Sequence, residues 1–137
     1  MKNVLITGGS QGAKAINNVV NLALPKLLNS YNVIHLVGKG NLTSFSHPSY
    51  NQSEFIDMKY AYSASNFAIS RAGSNTAFEL ISHKIPTIFI PLPKGNSRGD
   101  QVENAKYFES KNLSLTLPQE NLTTATLLAK VNELVTK

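Results

Sequence analysis

Short β-branched runs alternate with longer amphipathic stretches along this sequence, and this alternation constrains the fold more than any other feature. The run Lys2–Thr7 predicts a strand, and Gly12–Asn29 after it spaces its apolar residues as on one face of a helix. Phe67–Ser70 and Ser74–Ser82 repeat the strand-then-helix order. Strands that alternate with helices of about ten residues or more predict a parallel sheet covered on both faces. The expected fold class is therefore α/β, with a doubly wound parallel sheet.

The remaining elements continue the alternation. Further strands are predicted at Val33–Val37, Pro86–Pro91 and Leu113–Leu117, and a short extended piece at Ser53–Ile56. Helices are predicted at Gly99–Ser110 and after Thr123, a residue type that commonly caps a helix start. At 137 residues and 42% hydrophobic content, the chain can bury one ordinary core but not two. We therefore expect residues 1–137 to form one domain.

Composition narrows the classes of partner and chemistry. The sequence has no cysteine, which excludes a disulfide framework, a thiol nucleophile and a cysteine-ligated metal. A net charge of +5 makes phosphorylated small molecules, anionic lipid and nucleic acid candidate partners. The basic residues are spread from Lys2 to Lys137 without a cluster, so no nucleic acid partner is expected. No apolar run approaches the ~20 residues that cross a bilayer, so a cytoplasmic location is expected.

A glycine-rich loop follows the first predicted strand and leads into the first predicted helix. Backbone that turns at glycine can approach a ligand closely, and the free N–H groups at a helix start favour an anion such as a diphosphate. The Walker A pattern does not fit because Lys14 is not followed by Ser or Thr, and the G-x-G-x-x-G dinucleotide fingerprint is absent. A tight turn without a ligand remains the alternative. The candidate substrate-binding residues of this loop are Gly9, Ser10, Gln11 and Gly12.

A second such loop follows Phe67–Ser70 and again passes through glycine into a helix start, where it offers N–H groups and hydroxyls to phosphate oxygens. Thr76 and Glu79 are three residues apart, so their side chains can lie on one side of the helix. The Glu79 carboxylate could there accept hydrogen bonds from both hydroxyls of a ribose, although a solvated surface glutamate is the alternative. The candidate residues are Arg71, Gly73, Ser74, Asn75, Thr76 and Glu79.

A third polar loop, residues 91–101, follows the strand Pro86–Pro91. Asp100 and Gln101 lie where this loop enters a predicted helix, and a carboxylate and an amide there could read sugar hydroxyls. A loop rich in Gly, Pro and Asn can also be a plain connection. Because the carboxyl ends of parallel strands share one edge of a sheet, the three loops are expected to form one binding site at that edge.

These residues together resemble a known family. Matching segments occur in the order and at about the spacing of the C-terminal domain of the MurG family, namely Gly8–Ala13, Phe55-Ile56, Ser70–Glu79, Asp100-Gln101 and Asn104-Ala105. That family comprises the undecaprenyldiphospho-muramoylpentapeptide β-N-acetylglucosaminyltransferases, which are glycosyltransferases of GT-B architecture. The similarity covers nearly the whole chain. It implies a Rossmann-like C-terminal half of such an enzyme, which binds UDP-N-acetylglucosamine.

The resemblance also implies roles for single residues. The loop around Ser10 faces the diphosphate and the acceptor, and the backbone of Ile56 meets the uracil. Thr76, with the adjacent helix start, contacts phosphate, and Glu79 binds the ribose.

A further pair, Asp100 and Gln101, matches the residues that read N-acetylglucosamine. The family usually has Gln-Gln there, so Asp100 is a departure that puts its individual role in doubt. The segment His35–Gly38 also departs from the family, which commonly has His-Gln-Thr-Gly at that place.

The implied enzyme is a hexosyltransferase of peptidoglycan synthesis that works without a metal or a cofactor. It transfers N-acetylglucosamine from UDP to the muramoyl C4 hydroxyl of a lipid-linked pentapeptide and inverts the anomeric centre. In the family, the acceptor and the anionic membrane surface are contacted largely by an N-terminal domain, which this chain lacks. The isolated domain is therefore expected to be inactive alone, and the full-length protein to lie at the cytoplasmic face of the cell membrane. No catalytic base is evident among His35, His47 and His83.

Two other functions stay open. The chain could be the separate donor-binding subunit of a split UDP-N-acetylglucosamine transferase, which pairs with a membrane-anchored partner. It could also be a nonenzymatic nucleotide-binding domain. The Gly8–Ala13 loop favours the cell-wall enzyme over the first alternative, and sugar transfer after addition of the missing half would remove the second.

Overall fold

Strands and helices alternate in the computed structural model, which describes residues 1–8, 13–93 and 100–137. The strands are β1 (Lys2–Thr7), β2 (Tyr31–Leu36), β3 (Tyr50–Ser53), β4 (Phe67–Ser70), β5 (Thr87–Phe89) and β6 (Ser114–Thr116). The helices are α1 (Ala13–Leu27), α2 (Met58–Ala64), α3 (Ser74–Ser82), α4 (Asp100–Ser110) and α5 (Thr124–Val135), with a 3-10 turn at Gln119–Asn121. The predicted α/β class is confirmed.

The six strands form one sheet in the order β3-β2-β1-β4-β5-β6, and every neighbouring pair is parallel. The chain first builds outward from β1 to β3, then returns to the other side of β1 and continues from β4 to β6. The direction of winding therefore reverses between β1 and β4. In open parallel sheets, ligands bind outside the carboxyl ends of the strands at such a reversal.

Apolar side chains fill both faces of the sheet. On the central strand β1, Val4 and Ile6 lie in the cluster that includes α1 and α5, while Leu5 lies in the cluster that includes α2, α3 and α4. All three side chains are fully buried. Burying an aliphatic side chain of this size contributes about 1.5–3 kcal/mol relative to leaving it exposed. Helices thus pack on both faces of the central strands, and the loops at the carboxyl edge begin from a well-packed sheet.

Local sequence explains most element boundaries. Thr123 caps α5 as predicted, because its hydroxyl accepts from the Thr126 N–H and the Thr126 hydroxyl accepts from the Thr123 N–H. The short extended piece predicted at Ser53–Ile56 is misplaced, since the strand begins at Tyr50 and ends at Ser53. This edge strand pairs with β2 alone and reads Tyr-Asn-Gln-Ser, so it lacks the apolar alternation that marks a strand in sequence.

None of the helices in the described part of the chain has the length and hydrophobicity needed to cross a bilayer.

Candidate functional site

A cleft of about 780 Å³ lies at the carboxyl ends of β1, β2 and β3, with α3 along its side. It falls within the range of about 300–1,000 Å³ that small-molecule sites occupy. The lining residues come from the ends of these strands and from the first turns of the helices that follow. They are Thr7, Ala13, Lys14, Leu36, Gly38, Lys39, Asn41, Glu54, Phe55, Ile56, Met58, Tyr62, Thr76 and Glu79.

Two glycines, Gly8 and Gly38, follow β1 and β2 beside the cleft, and each is required by the local backbone. A Cβ on Gly8 would lie 2.6 Å from both Cα and Cβ of Ala13, the first residue of α1. Gly38, after β2, has φ +88°, and a Cβ there would lie 4.0 Å from the Ala13 Cβ. The start of α1 is therefore packed tightly against the end of β1, and no side chain fits at Gly8 without a shift of backbone. At Gly38 it is the positive φ, not a lack of space, that favours glycine.

The first turn of α3 points N–H groups toward the same edge of the sheet. Its N-cap is Gly73, which makes no side-chain cap hydrogen bond, and no acidic residue lies in the first turn. The N–H groups of this turn are thus left for another acceptor, as at helix starts that bind anions. Thr76 lies in this turn and lines the cleft, while Ser74 and Asn75 are exposed beside it.

Glu79 lies one turn further along α3 and also lines the cleft. Its carboxylate is exposed, and it makes no hydrogen bond or ion pair with the described residues. Tyr62 and Glu79 both line the cleft, and burial, together with the negative charge of Glu79, raises the pKa of Tyr62 to about 12. Thr76 and Glu79 therefore share one side of the helix, as their spacing predicts.

Ile56 lies on the cleft wall, between the end of β3 and the start of α2. The next residue, Asp57, caps this helix and accepts a hydrogen bond of 3.0 Å from the Lys59 N–H. The cap fixes the backbone at Ile56. Its neighbour Phe55 also lines the cleft and is 76% exposed, so an aromatic face is available at the mouth.

Arg71 does not lie on the cleft surface. Its side chain is 2% exposed, and the guanidinium donates to the Ile90 carbonyl at 3.1 Å and to Gln119 Oε1 at 2.6 Å. Burial lowers the pKa of Arg71 to about 10, which leaves the group protonated at neutral pH. The side chain thus ties together the segments that follow β4, β5 and β6.

Gln101 and Asn104 tie the same region. Gln101 Oε1 accepts from the Leu92 N–H at 2.8 Å, and its Nε2 lies 3.9 Å from the position of a Cβ on Gly73. Asn104 Nδ2 donates to the Ala72 carbonyl at 2.9 Å. Asp100 begins α4 beside Gln101 and is exposed. The four predicted residues Arg71, Gly73, Asp100 and Gln101 therefore lie along the neighbouring part of the edge, outside the cleft lining.

A chain of buried polar groups lies behind the cleft and was not foreseen from the sequence. Asn17 Nδ2 donates to the Val37 carbonyl at 2.9 Å, so Asn17 Oδ1 must accept from His35 Nε2 at 2.8 Å. With its proton on Nε2, His35 accepts at Nδ1 from the Tyr50 hydroxyl, 2.9 Å away. Burial lowers the pKa of His35 to about 4, so the ring is neutral near pH 7.

The cleft also contains residues that the sequence analysis did not select, among them Lys14, Lys39 and Tyr62. Each is a common residue type on an amphipathic helix or in a polar loop. Nothing in the local pattern marks them, because only the packing of separate elements brings them to one wall. Gly9, Ser10, Gln11 and Gly12, the candidates of the first loop, lie outside the described residues.

Metal ligation has no candidate in residues 1–8, 13–93 and 100–137, where no group of three or more His, Cys, Asp or Glu side chains is placed to hold an ion.

Comparison with known proteins adds an independent line of evidence. The model of the glycosyltransferase family 28 C-terminal domain matches residues 3–137. The chain is 44% identical over 135 residues to the UDP-N-acetylglucosamine--N-acetylmuramyl-(pentapeptide) pyrophosphoryl-undecaprenol N-acetylglucosamine transferase of Clostridium kluyveri, covering 96% of this chain and 38% of that protein. A protein of the same name from Staphylococcus epidermidis is 40% identical over 136 residues, again with 38% of its length covered.

Solved structures agree with this relationship. The crystal structure of Acinetobacter baumannii MurG superposes with a TM-score of 0.82 at 30% identity, over 97% of this chain and 41% of that one. The glycotransferase of kitacinnamycin reaches the same TM-score of 0.82 at 15% identity, which shows the fold alone. The chain thus spans about 38% of the length of the curated relatives it matches.

Proposed function

Because this chain belongs to the glycosyltransferase family 28 C-terminal domains, we propose that it is the donor-binding part of a hexosyltransferase of peptidoglycan synthesis. Its ligand is UDP-N-acetylglucosamine. The observation that carries the proposal is the cleft at the reversal of the sheet, where Ile56, Thr76 and Glu79 lie on one continuous surface.

The chemistry of the cleft suits the parts of a nucleotide sugar. The start of α3 offers N–H groups and the Thr76 hydroxyl to phosphate oxygens. One turn away, the Glu79 carboxylate can accept hydrogen bonds from two ribose hydroxyls. Fixed backbone at Ile56, next to exposed Phe55, suits the polar edge and flat face of a uracil. The order base, ribose, phosphate thus runs from α2 to the start of α3.

The sugar is assigned to the neighbouring part of the edge. Asp100 and Gln101 begin α4 next to the loop at Gly73, on the far side of the α3 start from Ile56. Gln101 keeps an Nε2 donor while its Oε1 holds Leu92, and Asp100 supplies an acceptor. The first glycine loop, residues 9–12, is assigned to the diphosphate on the resemblance of its sequence to the family.

The proposed reaction joins the muramoyl C4 oxygen of a lipid-linked pentapeptide to the anomeric carbon, breaks the anomeric C–O bond to UDP, and passes the hydroxyl proton to a base. The α3 start is placed to stabilise the negative charge that develops on the departing diphosphate. His35 is not a suitable base, because it is buried and both ring nitrogens are hydrogen-bonded. We assign the base, the acceptor surface and contact with the anionic cytoplasmic face of the membrane to the rest of a longer enzyme.

On this account the 137-residue chain binds the donor but does not transfer it. Saturation-transfer NMR with UDP-N-acetylglucosamine, UDP-glucose and NADH measures the preference, and a radiolabel assay with a lipid-linked acceptor measures transfer. We expect contact with both UDP-sugars, a stronger signal for UDP-N-acetylglucosamine, and no turnover. A preference for NADH would overturn the donor site, and steady turnover by the isolated chain would overturn the assignment of the acceptor surface to another domain.

A further inference from the structure

Lys39 is a cation on the cleft wall that the proposed ligand contacts do not yet use. It lies in the loop after β2 and is exposed. Within the part of the chain that the structure describes, the one ion pair joins Lys130 to Glu133, so Lys39 has no carboxylate partner there. Lys39 shares this wall with Ala13 and Lys14 at the start of α1.

The loop that carries Lys39 is held on both sides of this residue. Before it, the Val37 carbonyl accepts from Asn17 Nδ2 at 2.9 Å and from Asn41 Nδ2 at 3.0 Å. After it, the Gly40 N–H donates to the Glu54 carboxylate. Gly38 and Gly40 adopt φ of +88° and +80°, which side chains rarely tolerate. The Lys39 side chain is exposed, but hydrogen bonds hold the backbone on both sides of it.

The hydrogen bond from Asn17 to the Val37 carbonyl is part of a buried series, in which Asn17 also bonds to His35, and His35 to Tyr50. The ring and the amide replace apolar packing that would fill the same space between α1, β2 and β3. Buried polar groups stabilise little against apolar groups of the same shape, but in some proteins they fix one defined arrangement of the packed elements. The buried hydrogen bonds of Asn17, His35 and Tyr50 end at the Val37 carbonyl, two residues before Lys39.

We propose that Lys39 binds a phosphate oxygen of the nucleotide sugar, and that Asn17, His35 and Tyr50 are positioning residues that set its backbone through the Val37 carbonyl. The inference rests on the proposed function and adds a contact to the same site. A lysine ammonium is a point charge on a flexible stem, so its reach to an oxygen depends on where its backbone is placed.

The first test compares lysine variants of the 137-residue chain by NMR titration with UDP and with uridine. Lys39→Met should weaken UDP binding about 10-fold, as expected for a lost charged hydrogen bond, and should leave uridine binding within about 2-fold. Lys26→Met removes the same charge at the other end of α1 and should leave both affinities unchanged. Equal losses for UDP and uridine, or no loss for UDP, would overturn the phosphate contact.

The second test asks whether the buried chain acts through Lys39. Asn17→Ala should weaken UDP binding about 5-fold in the natural background but less than about 2-fold in the Lys39→Met background, the non-additivity expected of coupled residues. If Asn17→Ala does not fold, Tyr50→Phe, which removes one hydroxyl, replaces it in the same cycle. A merely structural role would give the same loss of affinity in both backgrounds, and that result would overturn the positioning role.

The failure of the inference can be told from the failure of the proposed function. If the natural chain bound neither UDP nor uridine, the donor site itself would be wrong and the inference would fall with it. If the natural chain bound both ligands and Lys39→Met bound UDP as tightly, only the inference would be wrong.

Discussion

The carboxyl edge of the sheet has two halves that differ in how many of their polar side chains the protein itself uses. In the half formed by the segments after β4, β5 and β6, which we term the tied half, Arg71, Gln101 and Asn104 hold the protein's own backbone. In the half formed after β1, β2 and β3 together with the facing side of α3, which we term the open half, Asn41 and Glu54 also hold backbone. Lys39 and Glu79, by contrast, line the cleft with no ion pair to the described residues.

This difference separates binding residues from supporting residues. A polar side chain that already bonds to the protein has few donors or acceptors left for a ligand. An unpartnered side chain on a cleft wall can use all of its donors and acceptors to bind a ligand. Arg71 and Asn104 of the tied half should therefore respond to substitution mainly in stability, whereas Gln101 keeps its Nε2 donor for the sugar. The open half should respond mainly in affinity.

The largest effect is expected in the tied half. Arg71→Met removes a buried cation that donates to the Ile90 carbonyl and to Gln119, and it should lower the free energy of unfolding by about 4 kcal/mol in urea titrations. Arg71→Lys keeps the charge but not the planar fork and should lose about half as much. If Arg71→Met unfolded normally but no longer bound UDP, Arg71 would be a ligand contact, as its loop position alone suggests.

His35, buried behind the open half, is expected to make the free energy of unfolding depend on pH. The pKa of His35 falls from 6.5 to about 4 on folding, so the unfolded state binds more protons between these values. Protonation of His35 in the unfolded state therefore has no effect on stability above pH 6.5. It lowers the free energy of unfolding as the pH falls from 6.5 to 4, by at most about 3 kcal/mol.

Unfolding of the natural chain and of His35→Gln, compared from pH 7 to pH 4, isolates the histidine. The natural chain should lose more stability over this range than the variant does. Parallel curves for the two proteins would mean that His35 is not held neutral by burial.

In the open half, Glu79→Gln should weaken UDP binding by about 2 kcal/mol, because an amide loses the charge that strengthens hydrogen bonds to ribose hydroxyls. Its unfolding should change by less than about 0.5 kcal/mol, since the side chain is exposed and has no partner among the described residues. Calorimetry gives the affinity. Glu103→Gln, an exposed acid in the first turn of α4, is the matched control and should bind UDP normally.

The smallest effect is expected at the border between the halves. Asp100→Gln should tighten UDP-N-acetylglucosamine relative to UDP by about 0.5 kcal/mol, because an amide can donate to the acetamido carbonyl and a carboxylate cannot. It should also lower stability by about 0.3–1 kcal/mol, since an acid at the start of α4 is favoured by the helix dipole. Identical ratios of the two affinities in both proteins would show that Asp100 does not meet the sugar.

The sequence predicted the fold better than it predicted the two halves of the edge. Strand Phe67–Ser70 and helix Ser74–Ser82 have the predicted bounds, because apolar runs and a glycine start mark them locally. The edge strand Tyr50–Ser53 was misplaced because its side chains are mostly polar. Arg71 and Glu79 look equally available in sequence. Only the packing of β5 and the 3-10 turn against Arg71 decides that this side chain is buried.

The most direct test of the account is a ¹⁵N-resolved NMR titration of the 137-residue chain with UDP-N-acetylglucosamine. The amide shifts should concentrate in the open half, at Gly38, Lys39, Ile56 and the α3 residues from Thr76 to Glu79. A second cavity of about 340 Å³, lined by Lys84 and Ser114, lies at the amino ends of β5 and β6, on the opposite edge of the sheet. Shifts confined to Lys84, Ser114 and their neighbours, with the open half unchanged, would show that the open half does not bind the donor.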